Sequence, residues 1–277
     1  MKVAFLGPEG TFSEEALLAS GNSAQIEPVP MPTIYECVMA VADGRCERAL
    51  VPIENSLEGS VNATLDALVF ETDEVRIVGE VVHPITHTLI ARTQLPLERI
   101  ERVLSHPQAS AQCARFLRER LSDAEVMGAQ STADAVRIVA ESDQPWAALG
   151  NHISAQLYDC EVLAERVEDT PENETRFVWL SRSSEPGNAS ELPFKTSIVF
   201  WGLPDHPGAL VDILHEFATR KINLSKIESR PRKQGLGRYV FFADLEGHAD
   251  DPPVVEALAA IGATVETLRV LGCYPSA

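Results

Sequence analysis

The chain has 277 residues, enough for one large domain or two ordinary ones, and 45% of them are hydrophobic, which allows a substantial core. With 23 Lys and Arg against 41 Asp and Glu, the formal net charge is -18, which disfavours nucleic acid or an anionic membrane as a generic partner. An anionic small molecule is not excluded, but it would need a local group of hydrogen-bond donors set against the overall field.

The first 180 residues repeat one unit: an apolar strand, a small polar loop and an amphipathic helix. The strands are KVAFLG, RALVPI, RVL, EVMGAQ and WAALG. The helices that follow them are EEALLAS, GSVNATLDALV, ASAQCARFLRERL, ADAVRIVAE and ISAQLY. Strands that alternate with helices predict an α/β fold with mainly parallel sheets. No apolar run approaches the length of a membrane span, and we expect no signal peptide in MKVAFLGPEG.

Polar residues mark the starts of several of these helices. Thr11 and Glu14 have the spacing of a capping box, and Ser131 or Thr132 can cap the helix that begins near Ala133. Taken alone, each such residue is a structural cap far more often than a ligand. In open α/β sheets, however, ligands bind at the carboxyl ends of strands beside helix N-termini, where free N–H groups favour anions. The loops together therefore predict one cleft suited to an anion.

Residues 181–193, SRSSEPGNASELP, lack apolar periodicity and have the composition of a linker. The chain after it, residues 194–277, reads strand, helix, strand, strand, helix, strand. This βαββαβ order predicts a ferredoxin-like domain. We therefore expect a catalytic unit over residues 1–180 and a smaller unit over 194–277, which by analogy is regulatory.

The sequence carries no cofactor motif: it has no P-loop, no dinucleotide fingerprint and no G-x-S-x-G elbow. His83 and His87 have helical metal-ligand spacing, but His83 precedes Pro84 in a strand-like segment, so no metal site is predicted. The five cysteines are scattered, without a C-x-x-C pair, which indicates reduced thiols in a cytoplasmic protein. We expect chemistry that side chains perform alone, with neither cofactor nor metal.

The segment PENETRFVWL places one arginine beside a threonine in acidic surroundings. The fork of Arg176 can bind a carboxylate through two hydrogen bonds, and the hydroxyl of Thr175 can bond a reacting oxygen. The alternative is a surface ion pair of Arg176 with Glu172 or Glu174. These ten residues alone slightly favour the ion pair.

Two further polar stretches follow predicted strands. Glu54, Asn55 and Ser56 come after ALVPI, where the Asn-Ser pair either caps the next helix or holds a substrate. Glu54 can act as a general acid only if burial raises its pKa. Ser105 lies just after the strand RVL, and Gln112 lies in the next helix, where it faces either the cleft or solvent.

These stretches, in this order, resemble the monofunctional prephenate dehydratases, which form phenylpyruvate on the route to phenylalanine. The matching motifs are GPEGTFS at residue 7, VPIENSLEGSV at 51, SHPQ at 105 with QC at 112, STA at 131 and TRF at 175. The second unit is similar to the family's ACT domain, in PGAL at 207, INLSKIESRP at 222 and LGCYP at 271. Each motif is weak alone, whereas the ordered set spans essentially the whole chain and is specific.

The resemblance implies a two-lobed α/β catalytic domain, similar to periplasmic binding proteins, that removes carbon dioxide and water from prephenate without a cofactor. It implies that Thr175 hydrogen-bonds the leaving hydroxyl, with a proton relayed from water or from Glu54, and that Asn55 is also a catalytic residue. Arg176 would bind a substrate carboxylate, and Phe177 would wall the pocket. The other implied substrate ligands are neutral donors: Thr11, Asn55, Ser56, Ser105, Gln112 and Ser131.

For the second unit, the resemblance implies an L-phenylalanine site at a subunit interface, and hence feedback inhibition in a homodimer or homotetramer. The implied effector ligands lie at a helix start and along the next strand: Gly208, Ala209, Leu210, Asn223, Leu224, Glu228, Ser229 and Arg230. The alternative for ESRP is an edge strand that ends at proline. Two other functions stay open, namely an arogenate dehydratase and a non-catalytic phenylalanine sensor.

Overall fold

Two β-sheets organise the part of the chain that the computed structural model describes, residues 1–20, 25–183, 193–233, 235 and 237–277. The larger sheet has ten strands and runs from the first lobe into the C-terminal unit, and the smaller sheet has five strands and forms the second lobe. Of the predicted linker, residues 184–192 lie outside the described residues.

The first lobe is a mixed sheet flanked by helices. Its elements are β1 Lys2–Leu6, α1 Phe12–Ala19, β2 Glu27–Met31, α2 Ile34–Ala42, β3 Arg48–Asn55, β4 Gly59–Ser60, α3 Asn62–Phe70, β5 Arg76–Pro84 and, later in the chain, β11 Glu174–Ser181. Strands β1, β2 and β3 are parallel, and β11 lies antiparallel between β3 and β5. The proline-rich strand β2 lies at the sheet edge, where the missing N–H groups of Pro28 and Pro30 are tolerated.

The second lobe is formed by the chain between β5 and β11, which leaves the first lobe after β5 and returns to it before β11. Its elements are β6 Thr88–Ala91, a 3-10 turn Leu97–Arg99, β7 Arg102–Ser105, α4 Pro107–Gln112, α5 Ala114–Arg120, β8 Glu125–Gly128, α6 Thr132–Ala140, β9 Trp146–Gly150, α7 His152–Leu157 and β10 Glu161–Ala164. Strands β7, β8 and β9 are parallel, and β6 and β10 extend the sheet antiparallel. The predicted two-lobed α/β arrangement is confirmed, but the prediction of mainly parallel sheets is wrong, because β11, β6 and β10 pair antiparallel with their neighbours.

The single helix predicted for ASAQCARFLRERL is wrong, because the chain breaks at Cys113 into α4 and α5. The Asp169 carboxylate accepts the backbone N–H of Arg115 at 3.0 and 3.1 Å and so caps α5. The backbone N–H of Asp169 donates to the Gln112 carbonyl at 2.7 Å. The break leaves Gln112 as the last residue of α4, beside the space between the lobes.

The C-terminal unit consists of β12 Phe194–Trp201, α8 Ala209–Thr219, β13 Leu224–Pro231, β14 Tyr239–Glu246, α9 Pro252–Thr264 and β15 Thr267–Pro275. The predicted βαββαβ order is confirmed, with strand order β13-β14-β12-β15. Strand β15 joins this unit to the first lobe, since Gly272 lies opposite Ile77 of β5. A Cβ at Gly272 would lie 2.1 Å from the Ile77 carbonyl oxygen, so this close approach requires glycine.

No helix in the described ranges is both long enough and apolar enough to cross a bilayer. All five cysteines are free thiols.

Candidate active site

A cleft of about 460 Å³ lies between the two lobes. Among the described residues that line it, none is Lys, Arg, Asp or Glu. Its polar lining residues are Thr11, Ser13, Asn55, His87, His106, Gln108, Gln112, Gln130, Ser131, Thr132, Asn173 and Thr175. Apart from these two histidines, the side chains that this lining offers to an anion are neutral donors.

The first turns of α1 and α6 face this cleft from opposite lobes. Thr11 caps α1, because its hydroxyl accepts the N–H of Glu14 at 3.4 Å and donates to the Leu6 carbonyl at 2.9 Å. Ser131 caps α6 by accepting the N–H of Asp134 at 2.9 Å. The remaining first-turn N–H groups of a helix have no intrahelical partner and attract anions. The cleft thus has two helix N-termini suited to two negative groups.

Thr175 reaches the cleft from β11, opposite Asn55 of β3. The Asn55 side-chain N–H donates to the Thr175 hydroxyl oxygen at 2.9 Å, and the Asn55 Oδ1 accepts the backbone N–H groups of Leu57 and Glu58, both at 3.0 Å. Thr175 is only 7% exposed. With its oxygen already accepting a hydrogen bond, the hydroxyl can turn its proton toward a ligand.

Sequence reasoning missed Asn173 and His87, which also line the cleft. The side-chain N–H of Asn173 donates to Gln112 Oε1 at 3.1 Å, and His87 Nε2 lies 3.0 Å from the same oxygen. Burial lowers the pKa of His87, against the opposing effects of the Gln112 hydrogen bond and the negative charge of Glu168. One feature of the sequence could have identified Asn173. It precedes Thr175 by two residues, so on an extended strand both side chains point to the same side.

Arg176 and Glu54, both predicted to act on the substrate, do not line the cleft. The Arg176 guanidinium contacts Glu54 at 3.0 Å, Glu80 at 3.1 Å and Asp244 of β14 at 2.8 Å. Arg176 therefore does not pair with Glu172 or Glu174, and it does not line this cleft, whereas its predicted role as a ligand of a substrate carboxylate stays a prediction. The physical reason is strand alternation, which turns Arg176 to the opposite face from Thr175.

Arg176 belongs to a charge cluster between the first lobe and the C-terminal unit. The interdomain cluster comprises Glu54, Glu80 and Arg176 of the first lobe and Lys195, Lys226 and Asp244 of the C-terminal unit. Its three acids and three bases balance. Burial would raise the pKa of Glu54, but Lys226 and Arg176 outweigh it and lower that pKa. A carboxyl that stays ionised and faces this cluster is unsuited to the predicted role of general acid.

Acidification below about pH 4.5, the ordinary pKa of a glutamate, is expected to weaken this cluster. Burial would raise the pKa of Glu80, but Lys195, the N–H of Ala277 and Arg176 outweigh it and lower that pKa. A depressed folded-state pKa stabilises the protein above the unfolded-state value, and the stabilisation is lost as the pH falls through the folded-state value. Thermal unfolding between roughly pH 7 and pH 3 measures it. Glu80→Gln should lower the melting temperature at neutral pH and flatten its decline in acid; an unchanged decline would contradict the assignment.

Two of the predicted neutral ligands, Ser56 and Ser105, also lie outside the cleft lining. The Ser56 hydroxyl donates to the Glu172 carbonyl at 3.3 Å and accepts the N–H of Glu174 at 3.0 Å. Ser105 is fully buried and donates to the Leu149 carbonyl at 3.1 Å. Both hydroxyls are occupied by backbone groups, and the Ser105 bond joins the neighbouring strands β7 and β9. The structure does bring six predicted residues together: Thr11, Asn55, Gln112, Ser131, Thr175 and Phe177.

Two of the implied effector residues, Glu228 and Arg230, point at the first lobe. The Glu228 carboxylate accepts the Ser60 hydroxyl at 2.8 Å, and Arg230 makes two hydrogen bonds to Asp66, at 2.9 and 3.0 Å. These contacts join the C-terminal unit to the catalytic lobe. Their predicted role in binding L-phenylalanine stays a prediction.

The other implied effector residues stay at the start of α8 and along or just before β13: Gly208, Ala209, Leu210, Asn223, Leu224 and Ser229. Ser229 and Asn223 are exposed, and the Asn223 amide donates to Glu246 at 2.8 Å. Strand β13 is an edge strand that ends at Pro231, which agrees with the alternative interpretation of ESRP as an edge strand that ends at proline.

A larger groove, of about 760 Å³, lies between the first lobe and the C-terminal unit. Three arginines line it, and each already donates to backbone carbonyls: Arg76 to those of Asp73 and Val75, Arg182 to that of Ala42, and Arg269 to those of Leu68, Val69 and Thr72. None of the predicted site residues lines this groove, so the cleft between the lobes is the candidate active site.

Comparison with known proteins shows the family to which the chain belongs. Residues 3–185 match the family model described as prephenate dehydratase, and residues 196–263 match the ACT domain model. The bifunctional chorismate mutase/prephenate dehydratase of Aquifex aeolicus is 40% identical over 278 residues, covering all of this chain and 74% of that protein. The prephenate dehydratase of Lactococcus lactis subsp. cremoris is 38% identical over 280 residues, covering 99% of this chain and 97% of that protein.

A solved structure is similar over nearly the whole chain. The crystal structure of prephenate dehydratase from Arthrobacter aurescens, in complex with L-Phe, superposes with a TM-score of 0.90 at 40% identity. The match covers 99% of this chain and 90% of that one.

Proposed function

Since the chain belongs to the prephenate dehydratase family, we propose that it converts prephenate to phenylpyruvate, carbon dioxide and water in L-phenylalanine biosynthesis, under feedback by L-phenylalanine. The observation that carries the proposal is the Thr175 hydroxyl, held by Asn55 in an uncharged cleft between two helix N-termini. We assign residues 1–180 to the catalytic domain, 181–193 to the linker and 194–277 to the ACT domain, and the two family matches support this division.

Prephenate carries two carboxylates, and the cleft offers one helix N-terminus from each lobe. The first turns of α1 and α6, with Thr11 and Ser131 as their caps, supply backbone N–H groups. The cleft lacks a formal cation among its described lining residues, so the helix dipoles and neutral donors offset the charge of the dianion. Binding one carboxylate on each lobe also fixes the ring between them, with Phe177 as part of the wall.

In the chemical step, the bond from the ring to its carboxylate breaks and the electron pair enters the ring. The bond to the ring hydroxyl breaks at the same time, and the product gains an aromatic ring. Thr175 donates a hydrogen bond to the departing oxygen, which water then protonates, because a threonine hydroxyl is too weak an acid near neutrality to give up its proton. Asn55 holds the Thr175 oxygen at 2.9 Å and so fixes where that proton points.

Feedback requires L-phenylalanine to favour one of two conformations. Strand β11 supports such coupling, because it presents Thr175 to the cleft and Arg176 to the interdomain cluster. The exposed side chains near the start of α8 and on β13 support an effector site that a second subunit completes, in a homodimer or homotetramer. We also propose a cytoplasmic location, which the five free thiols support.

The test is turnover of prephenate by the purified protein, followed as phenylpyruvate, with and without L-phenylalanine. Formation of phenylpyruvate that L-phenylalanine suppresses is the expected result. Turnover that L-phenylalanine does not change would contradict the proposed regulation and leave the proposed reaction unaffected. Arogenate serves as the parallel substrate, and a protein inert toward both would contradict the proposed reaction.

A further inference from the structure

Three amide side chains form a continuous hydrogen-bonded chain along the cleft. The side-chain N–H of Asn55 donates to Asn173 Oδ1 at 2.8 Å, and that of Asn173 donates to Gln112 Oε1 at 3.1 Å. We call Asn55, Asn173 and Gln112 the amide relay. Thr175 stands at one end, 2.9 Å from Asn55 Nδ2, and His87 at the other, 3.0 Å from Gln112 Oε1.

Backbone groups fix the direction of this relay. The N–H groups of Leu57 and Glu58 both donate to Asn55 Oδ1, so the other side-chain atom of Asn55 must be the donor. Asn173 must then accept through its oxygen and donate through its nitrogen. Gln112 Oε1 receives that donor, which leaves His87 Nε2 as a second donor to the same oxygen. Neutral His87 therefore carries its proton on Nε2.

We propose that Asn173 is a positioning residue: it accepts one N–H of the Asn55 amide and so directs the other N–H at Thr175, which then offers its proton, rather than a lone pair, to the departing oxygen. Asn173 is 2% exposed, and its carbonyl accepts the N–H of Ile85 at 2.8 Å. It lies where the chain returns from the second lobe to the first, and it joins Gln112 of one lobe to Asn55 of the other. Asn173 thus links the Asn55–Thr175 pair of the first lobe to the second lobe.

Kinetics separates positioning from a general structural role. Because Asn173 acts through Thr175, Asn173→Leu should lower kcat about tenfold to a hundredfold while KM for prephenate changes little. In a Thr175→Ala background, the same substitution should cause no further loss. Equal losses in the two backgrounds, or a loss confined to KM, would overturn the proposal. This experiment rests on the proposed function, and wild-type turnover measured alongside it tests that function separately.

Asn173→Asp gives a pH signature. The ionised carboxylate can accept from Asn55 but cannot donate to Gln112, whereas the protonated carboxyl can do both and restores the relay. The ratio of kcat for this variant to wild-type kcat should therefore rise as the pH falls. The titratable groups that face this position are His87, Glu58, Glu168 and Asp169, with Glu172 and Glu174 on its own segment. A ratio that is flat across the range where both proteins are folded would count against the relay.

The tautomer of His87 tests the relay without turnover. In protein labelled with ¹⁵N-histidine, with the signal assigned by His87→Gln, neutral His87 should carry its proton on Nε2. Asn173→Leu should produce a mixture of the two tautomers. A wild-type His87 protonated on Nδ1 would overturn the relay, whatever the substrate proves to be. An inactive wild-type protein with the Nε2 tautomer would overturn the proposed reaction and keep the relay.

Discussion

Thr175→Ala is expected to lower kcat about 10²- to 10⁴-fold, the range of a positioned proton-sharing group, with little change in KM for prephenate. The hydroxyl acts on the departing oxygen, while the two carboxylates are held elsewhere, at the starts of α1 and α6. An interaction that strengthens only in the transition state appears in kcat rather than in binding. Steady-state phenylpyruvate formation measures both constants, and circular dichroism checks that the variant is folded.

Two variants at the same position control for packing. Thr175→Ser keeps the hydroxyl and should retain kcat within about tenfold of wild type. Thr175→Val keeps the shape of the side chain and removes the hydroxyl, so its kcat should fall as far as that of Thr175→Ala. Wild-type turnover in the valine variant would show that the side chain fills space and takes no part in the reaction.

The TRF motif shows how far the sequence predicts the site. The motif correctly directs attention to β11, and strand alternation requires Thr175 and Phe177 to share one face and Arg176 to take the other. That periodicity was available in the sequence. The partners of Arg176 could not be predicted from the sequence, because Glu80 and Asp244 come from distant strands, and Asp244 belongs to a different unit.

Gln112 and Asn173 mark the limit of local patterns. The helical period of ASAQCARFLRERL is continuous, and only the nonlocal cap by Asp169 breaks it and leaves Gln112 at a helix end. The stretch PENETRF, in which Asn173 precedes a strand, has the ordinary composition of a turn. The role of Asn173 depends on the meeting of two lobes, which local sequence does not specify. By contrast, the βαββαβ order and the helix caps Thr11 and Ser131 follow from local rules, and the structure has them.

Arg176→Met is expected to destabilise the protein by about 3–5 kcal/mol, the usual cost when a buried charge loses its partner. Glu80 and Asp244 are 2% and 8% exposed, and both contact the Arg176 guanidinium. Without it, the cluster keeps three carboxylates and two lysines in a poorly hydrated space. Urea unfolding measures the loss, and adding Asp244→Asn to Arg176→Met should recover part of it because one unpaired charge is removed.

Kinetics at a temperature where the variant is folded decides between the two roles of this arginine. An arginine of the interdomain cluster should leave KM for prephenate within about threefold of wild type and shift the L-phenylalanine concentration needed for half-inhibition. Lys226→Met is the matched control, since it removes a cluster cation from the C-terminal side and should shift inhibition in the same direction by less. Unchanged stability with a KM raised about a hundredfold would instead return Arg176 to the substrate carboxylate. The contacts with Glu54, Glu80 and Asp244 favour the first outcome, because they already use four of the five N–H donors of the guanidinium.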